Sequence, residues 1–297
     1  MKLEIIKKDK MRRDIKIEVD KNTLSSIREK VLVKINKEVT IPGFRKGKAP
    51  LELVEKKYPD LMREEILKEA IPFYYNQAVK QENLEVVTLP TVKDVLYKDG
   101  KLSFVAEVEI RPQVKVEESL YKNIKIEYNP IKVEEEEWER FVRETKEKIS
   151  GSLAKDKEKI TDDFLAKWLG YQDKVELREA FHSEIYLNKA LQRRREIEKQ
   201  IIDTLLSKVK FDIPKSLVEE QKKDLITSQL IELRRRGISE EEVKKHYQEI
   251  SKRAQVLAEE QIKLYYILEE IAKREGLKYN KDNLYEVVMG FILSSQA

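Results

Sequence analysis

The chain has 297 residues, of which 60 are basic and 56 acidic, and it contains no cysteine and only two histidines. Without thiols it cannot hold a disulfide framework, a cysteine nucleophile or a thiolate metal site, and two histidines leave little room for another metal centre. The longest apolar run, residues 287–293, is far shorter than the ~20 residues that span a bilayer, and the charged start MKLEIIKKDK differs from a signal peptide. We therefore expect a cytoplasmic protein with no membrane segment, no metal and no cofactor.

The composition favours long regular elements. Only 8 glycines and 8 prolines occur, and charged residues make up 39% of the chain with nearly balanced signs. Such balance is typical of solvated helix faces that carry paired Glu and Lys. The length allows roughly two domains.

Strand and helix signals alternate in residues 1–112. Apolar residues at every second position of RRDIKIEVD predict a half-buried strand. A helix follows, with Asn22 as its expected N-cap. Its apolar positions at helical spacing are Leu24, Ile27, Val31 and Ile35.

Two more helices and a hairpin complete this part. The loop TIPGFRKGKAP leads to a helix whose first turn suits Pro50, and then to a helix over about 60–83 that Pro72 should kink or divide. Asp99-Gly100 joins two strand patterns and predicts a hairpin. Residues 1–112 therefore predict an α+β domain with a small antiparallel sheet.

The rest of the chain predicts helices. Residues 113–160 combine an extended stretch with a linker helix that begins near Val133 and ends near Ser150. Residues 161–297 predict an elongated all-α domain with breaks at Gly170, 211–214, Gly237 and Gly276. Ser239 and Glu242 form a capping-box pattern for its longest helix. Apolar residues at alternating spacings of four and three predict a seam for a neighbouring helix, formed by Val243, Tyr247, Ile250, Ala254, Leu257, Leu264, Leu268 and Ile271.

The loop from Gly43 to Pro50 carries the most informative motif. A nucleotide-binding P-loop needs four residues between its glycines and Ser or Thr after its lysine, but here three residues intervene and Ala49 follows Lys48. The loop instead presents one aromatic and three cationic side chains, Phe44, Arg45, Lys46 and Lys48, which suit a phosphate-rich RNA. The alternative is an ordinary connection between helices with Phe44 in the core.

This loop resembles the ribosome-docking signature of trigger factor, a bacterial chaperone family that meets nascent chains at the ribosomal exit tunnel. The family pattern G-F-R-x-G-x-x-P is filled by Gly43, Phe44, Arg45, Gly47 and Pro50. The helical half carries a second resemblance, because residues 160–206 and FDIPKSLVEEQ at 211–221 are similar to the start of the family's C-terminal domain. Together the two resemblances cover most of the chain.

The resemblance implies an ATP-independent chaperone that docks beside the exit tunnel. Residues 1–112 would bind the ribosome, 113–160 would form the linker, and 161–297 would form a helical cradle for unfolded or nascent polypeptides. The implied partners are a large-subunit ribosomal protein and adjacent ribosomal RNA, with a homodimer as a further state away from the ribosome. The implied ribosome-binding residues are Gly43, Phe44, Arg45, Lys46, Gly47, Lys48 and Pro50.

One departure from the family concerns catalysis. Trigger factors commonly carry an FK506-binding-type prolyl isomerase domain between the linker helix and the C-terminal domain, and the segment SGSLAKDKEK at 150–159 is too short to hold one. We therefore expect a form without this domain, without catalytic residues and without enzyme activity. Two alternatives stay open: a ribosome-independent holdase or assembly chaperone, and a prolyl isomerase with an unrecognised site.

Other candidate sites are weaker. His182 and His246 have no nucleophile or ligand partner at useful spacing, so surface or core histidines are expected. The arginine runs 193–195 and 234–236 would contact RNA or, as we expect, pair with glutamates around a helix. The C-terminal run VVMGFIL would bind clients or, as we favour, face the core.

Overall fold

The structure is a computed structural model that describes residues 1–153 and 160–295. Its contacts divide the chain into two compact units. The first unit consists of Met1–Lys115 and Lys210–Glu270, and the second of Val116–Val209 and Ile271–Ala297. Residues 161–297 thus contribute to both units, and the functional boundaries at 112 and 160 stay a prediction.

The described residues form four strands, nine α-helices and one short 3-10 helix, Glu118–Leu120. The strands are β1 (Lys2–Lys7), β2 (Arg12–Val19), β3 (Thr91–Lys98) and β4 (Lys101–Glu109). The helices are α1 (Lys21–Glu38), α2 (Leu51–Lys57), α3 (Pro59–Gln81), α4 (Glu135–Leu153), α5 (Asp162–Trp168), α6 (Lys174–Lys208), α7 (Lys215–Arg235), α8 (Glu240–Arg274) and α9 (Leu284–Ser294). This content confirms the predicted fold class, an α+β N-terminal region followed by helices.

The sheet of the first unit is antiparallel, with the order β1-β2-β4-β3. Alternate residues of β2 face the core, since Ile15, Ile17 and Val19 are buried. Asp99 and Gly100 both have positive φ, 52° and 73°. That pair of left-handed residues matches the right-handed twist of the strands, so the predicted hairpin forms.

Helices α1 and α3 cover one face of this sheet. The four predicted apolar positions of α1 are buried with the inner face of the sheet. The predicted N-cap was wrong: the carboxylate of Asp20, not Asn22, accepts from the N–H of Thr23 at 2.9 Å. The backbone is already helical at residue 21, so Asn22 lies within the first turn.

Pro72 lies inside α3 without dividing it, so of the two predicted outcomes division is wrong and a kink stays a prediction. A proline removes one helical hydrogen bond, and the helix persists where tertiary packing outweighs that loss. Ala70, Tyr74 and Ala78 bury one face of α3 on both sides of Pro72, and the Tyr74 hydroxyl donates to the carbonyl of Thr23 at 2.9 Å.

Helices α7 and α8 belong to the first unit through residue 270 and form a helical hairpin. The N–H of Glu242 donates to Ser239 Oγ at 3.3 Å, as the capping pattern predicts. The predicted seam is only partly correct, because Tyr247 and Leu257 are 46% and 48% exposed. The buried residues of this stretch, Ile250, Ala254 and Ala258, recur every four residues. The seam predicted at alternating spacings of four and three therefore includes Tyr247 and Leu257, which lie outside the buried stripe.

Charged groups tie α7 and α8 to the sheet within the first unit. Glu109, at the end of β4, accepts from the N–H of Ser216 at 3.1 Å. Arg111 pairs with Glu269 of α8, and its guanidinium lies 5.4 Å from the ring centre of Tyr266. The end of β4 is therefore fixed to both helices.

The second unit has its own core, where α4, α5 and α6 pack together. Its buried side chains include Trp138, Ile149, Leu165 and Phe181. Every helix within residues 1–153 and 160–295 is too short or too polar to cross a lipid bilayer.

Candidate functional site

The loop between α1 and α2 is anchored at both ends by buried residues. Ile41 and Ala49 are 5% and 7% exposed. Between them the chain turns away from the core, because residues 42–46 and Lys48 are exposed. The motif therefore forms a protruding tip with a fixed base.

A buried amide holds the base of the loop together. Asn36, in the last turns of α1, donates from Nδ2 to the carbonyl of Ala49 at 2.9 Å. Its own carbonyl accepts from the N–H of Gly47, also at 2.9 Å. Asn36 thus links the helix before the loop to two points of the loop. The sequence analysis missed this residue, although a polar side chain beside the apolar stripe of α1 was a usable signal.

Two glycines allow the turns at the tip. Gly43 and Gly47 have φ of +86° and +79°, a region that costs other residues steric strain. A Cβ at either position would meet no close contact, so the requirement for glycine comes from the backbone and not from space. A backbone hydrogen bond between residues three apart closes each turn. The N–H of Phe44 donates to the carbonyl of Ile41, and the N–H of Lys48 donates to the carbonyl of Arg45.

The tip displays a ring and three cations to solvent. Phe44 is 41% exposed and does not belong to the buried core, so the interpretation of Phe44 as a core residue is wrong. Arg45, Lys46 and Lys48 are exposed, and none of them forms an ion pair with a residue that the structure describes. Three cations without an ion-pair partner can bind phosphates, and the aromatic ring beside them can enter an apolar pocket.

Pro50 fixes the exit of the loop. It is the N-cap residue of α2, and its carbonyl accepts from the N–H groups of Leu53 and Val54 at 3.0 and 3.2 Å. Val54 is fully buried, which holds α2 on the core. The structure therefore brings all seven predicted site residues into one continuous loop.

The other candidate residues take ordinary structural positions. His246 is exposed near Glu249, and within the described ranges no group of acidic and histidine side chains could hold a metal ion. Arg194, Arg234 and Arg236 pair with glutamates, as expected. In the C-terminal run the core interpretation is confirmed by three buried residues, Val288, Met289 and Ile292. The segment 150–159 lies partly outside the described residues.

Comparison with known proteins gives two family matches. The family model of the bacterial trigger factor protein matches residues 1–145, and that of the bacterial trigger factor C-terminus matches residues 175–294. Neither covers residues 146–174.

Individual relatives agree with these models. The trigger factor of Natranaerobius thermophilus is 32% identical over 47% of this chain, a match that spans 31% of the relative. The trigger factor of Solibacter usitatus is 21% identical over 86% of this chain and 81% of the relative. The match thus spans about a third of the first relative's length and about four fifths of the second's.

One solved structure has a similar fold. It is reported as "Promiscuous Substrate Recognition in Folding and Assembly Activities of the Trigger Factor Chaperone". The superposition has a TM-score of 0.58 and covers 95% of this chain and 87% of that one, at 16% identity. At this identity the likeness concerns the fold alone.

Proposed function

This chain belongs to the trigger factor family, and we propose that it is an ATP-independent chaperone that docks on the large ribosomal subunit and shields unfolded polypeptides. The family is one of chaperones. The docking step, its partners and the holding of clients are the proposed part.

The exposed loop tip is the observation that carries the docking proposal. Arg45, Lys46 and Lys48 approach ribosomal RNA and neutralise phosphates, which releases counterions and makes docking salt-dependent. Phe44 enters an apolar pocket of a ribosomal protein beside that RNA. Because Asn36 and Pro50 fix the loop before it binds, little conformational entropy is lost on docking.

Client holding rests on exposed apolar side chains of the helices. Large apolar residues stay exposed on α6 and α8, namely Tyr186, Leu187, Leu191, Val256 and Leu257. Charged residues surround them on the same helices and keep the protein dissolved while apolar segments bind weakly. Release follows from this weak affinity and from client folding, without nucleotide hydrolysis. Away from the ribosome, a homodimer through the N-terminal region would cover Phe44.

Catalysis is not part of the proposed activity. Only the N-terminal and C-terminal family models match, and residues 146–174 lie between them. So short a segment supports no independent isomerase fold, since chains below about 40 residues rarely form a core alone. Binding therefore carries the function, and the proposed site of action is the cytoplasm, where ribosomes work.

Three measurements test this proposal against its alternatives. Purified protein is expected to co-sediment with vacant ribosomes and to suppress aggregation of a chemically unfolded client without ATP. Suppression without co-sedimentation would support the ribosome-independent holdase. Acceleration of X-Pro isomerisation, which takes tens of seconds or longer when uncatalysed, would support the isomerase alternative.

A further inference from the structure

Lys37, in the last turn of α1, lies beside the loop although it does not belong to the loop motif. The carbonyl of the preceding residue, Asn36, accepts from the N–H of Gly47 at 2.9 Å, which holds the loop backbone against the end of α1. A Cβ at Gly47 would lie 3.7 Å from Cγ and 4.0 Å from Cα of Lys37, which is ordinary van der Waals contact. The Lys37 side chain therefore starts alongside the residue that separates Lys46 from Lys48.

The ammonium of Lys37 has no acidic partner among the residues that the structure describes. Lys37 is exposed and forms no ion pair with any of them. Lys34, one turn earlier, pairs instead with Glu65 of α3 at 2.6 Å. Glu65, and more weakly Glu38, raise the pKa of Lys34 above its usual value. The carboxylate of Glu38 thus acts on Lys34 and not on its neighbour Lys37, since adjacent residues of a helix do not face each other.

The charge of this stretch has one dominant sign. Residues 36–51 contain a single carboxylate, Glu38, and four cations. The cations are Lys37, Arg45, Lys46 and Lys48. The next carboxylate, Glu52, lies in the first turn of α2, where it interacts favourably with the helix dipole. The end of α1 and the loop therefore keep a net positive charge, which suits a polymer that carries a phosphate in every nucleotide.

A structural role for Lys37 is the alternative. A cation in the last turn of a helix interacts favourably with the final carbonyls. Two of the last four carbonyls of α1, those of Ile35 and Asn36, already accept from the N–H groups of Val39 and Gly47. Lys37 is not needed as their donor, and its contact with Gly47 favours a role in docking.

We propose that Lys37 is a fourth RNA-binding cation of the docking surface and pairs with a phosphate beside those that the loop binds. This proposal rests on the proposed docking function and extends the RNA-binding surface from the loop to the end of α1. Pairing releases counterions from the RNA, so Lys37 contributes a salt-dependent part of the affinity.

Titration of the full chain with vacant ribosomes at several salt concentrations tests the proposal through two variants, Lys37→Gln and Lys30→Gln. Lys30 is a matched control, because it is exposed on the same helix and has no ion-pair partner in the described ranges. It lies two turns, or about 10.5 Å, further from the loop along α1.

Lys37→Gln should reduce the slope of log affinity against log salt by about 0.7–0.9, the contribution of one phosphate. Its loss of affinity relative to the unmodified protein should therefore be about threefold smaller at 200 mM than at 50 mM salt. Lys30→Gln should leave the slope unchanged. Lys37→Arg, which keeps the charge, should also keep the slope.

Three results would overturn the proposal. An equal reduction of the slope by both glutamine variants would show that net charge, and not position, is responsible. Weaker binding by Lys37→Gln with an unchanged slope would indicate a carboxylate of a ribosomal protein as the partner. Unchanged binding with a lower Tm would show that Lys37 serves the end of α1.

The unmodified protein separates this proposal from the function on which it rests. If it does not bind vacant ribosomes at any salt concentration, the docking function is wrong, and the role of Lys37 is wrong with it. If it binds and Lys37→Gln binds with the same slope, docking stands and only the role of Lys37 is wrong.

Discussion

Truncation of Phe44 to alanine separates a docking role from a structural role. Phe44 is 41% exposed at the tip of a loop whose backbone is fixed by Asn36, Gly43 and Gly47. Removal of the ring leaves those bonds in place. We therefore expect ribosome binding to weaken while the loop keeps its conformation.

The magnitude follows from the exposed part of the ring. A large aromatic side chain presents about 150–250 Å², so the exposed 41% of Phe44 corresponds to roughly 60–100 Å². At ~25 cal/mol per Å², its burial by a partner contributes about 1.5–2.5 kcal/mol, and the variant should bind about 10- to 60-fold more weakly. This loss should persist at high salt, because apolar burial is not screened.

Two matched truncations calibrate the assay, which combines ribosome co-sedimentation with thermal unfolding. Phe73→Ala removes a ring that is 57% exposed on α3, and it should leave ribosome binding unchanged. Phe104→Ala removes a ring that is 1% exposed in β4, and it should destabilise the protein by about 3–5 kcal/mol. Phe44→Ala should cost less stability than Phe104→Ala. A loss of stability as large as that of Phe104→Ala, or unchanged ribosome binding, would refute the docking role of Phe44.

Three further changes follow from the same geometry. Replacement of Arg45 and Lys46 by alanine should weaken ribosome binding most at low salt. Titration at several salt concentrations should show that the slope of log affinity against log salt is smaller by up to about two. An unchanged slope would argue against phosphate contacts. Asn36→Ala should cost about 1–3 kcal/mol in denaturant unfolding, because it leaves the buried carbonyl of Ala49 without its donor, and unchanged stability would show that this bond does not hold the loop. The carboxylate of Asp20 accepts hydrogen bonds from the N–H and the hydroxyl of Thr23. These bonds, of which that from the N–H has the larger effect, lower the pKa of Asp20 to about 2. Because this pKa is lower in the folded state, the stabilisation is present above about pH 4 and is lost as the pH falls towards 2. The difference in Tm between the protein and its Asp20→Asn variant should therefore shrink over that interval, and a constant difference would contradict the assignment.

Local patterns in the sequence predicted the elements of the first unit well. The strand of Ile15, Ile17 and Val19 and the stripe of α1 were correct because burial on one face follows the period of the backbone. The loop motif was identified by its resemblance to the trigger factor signature G-F-R-x-G-x-x-P. Its exposure was not predictable, since a lone Phe44 fits a core as well as a tip until the packing of Ile41 and Ala49 is known.

Long-range packing accounts for the errors within helices, whereas the N-cap of α1 was misplaced for a local reason, the bond from the N–H of Thr23 to Asp20. Pro72 stays within α3 because residues on both sides are buried against elements distant in sequence. The seam of α8 was extended to Tyr247 and Leu257 because a seven-residue repeat assumes a supercoiled partner over its whole length. The ion pair between Lys10 and Asp212 was also beyond sequence analysis, since the two residues are 202 positions apart along the chain and only the fold brings them together.

Ribosome binding by a loop variant and a matched variant tests the central claim most directly. The loop variant replaces Phe44, Arg45 and Lys46 by alanine. The matched variant replaces Phe73, Lys80 and Lys98 by alanine. These are exposed residues of α3 and β3, so this variant also loses one phenyl ring and two positive charges. In co-sedimentation with vacant ribosomes the loop variant should lose binding, while the matched variant binds like the unmodified protein. Normal binding by a folded loop variant would contradict docking through this loop.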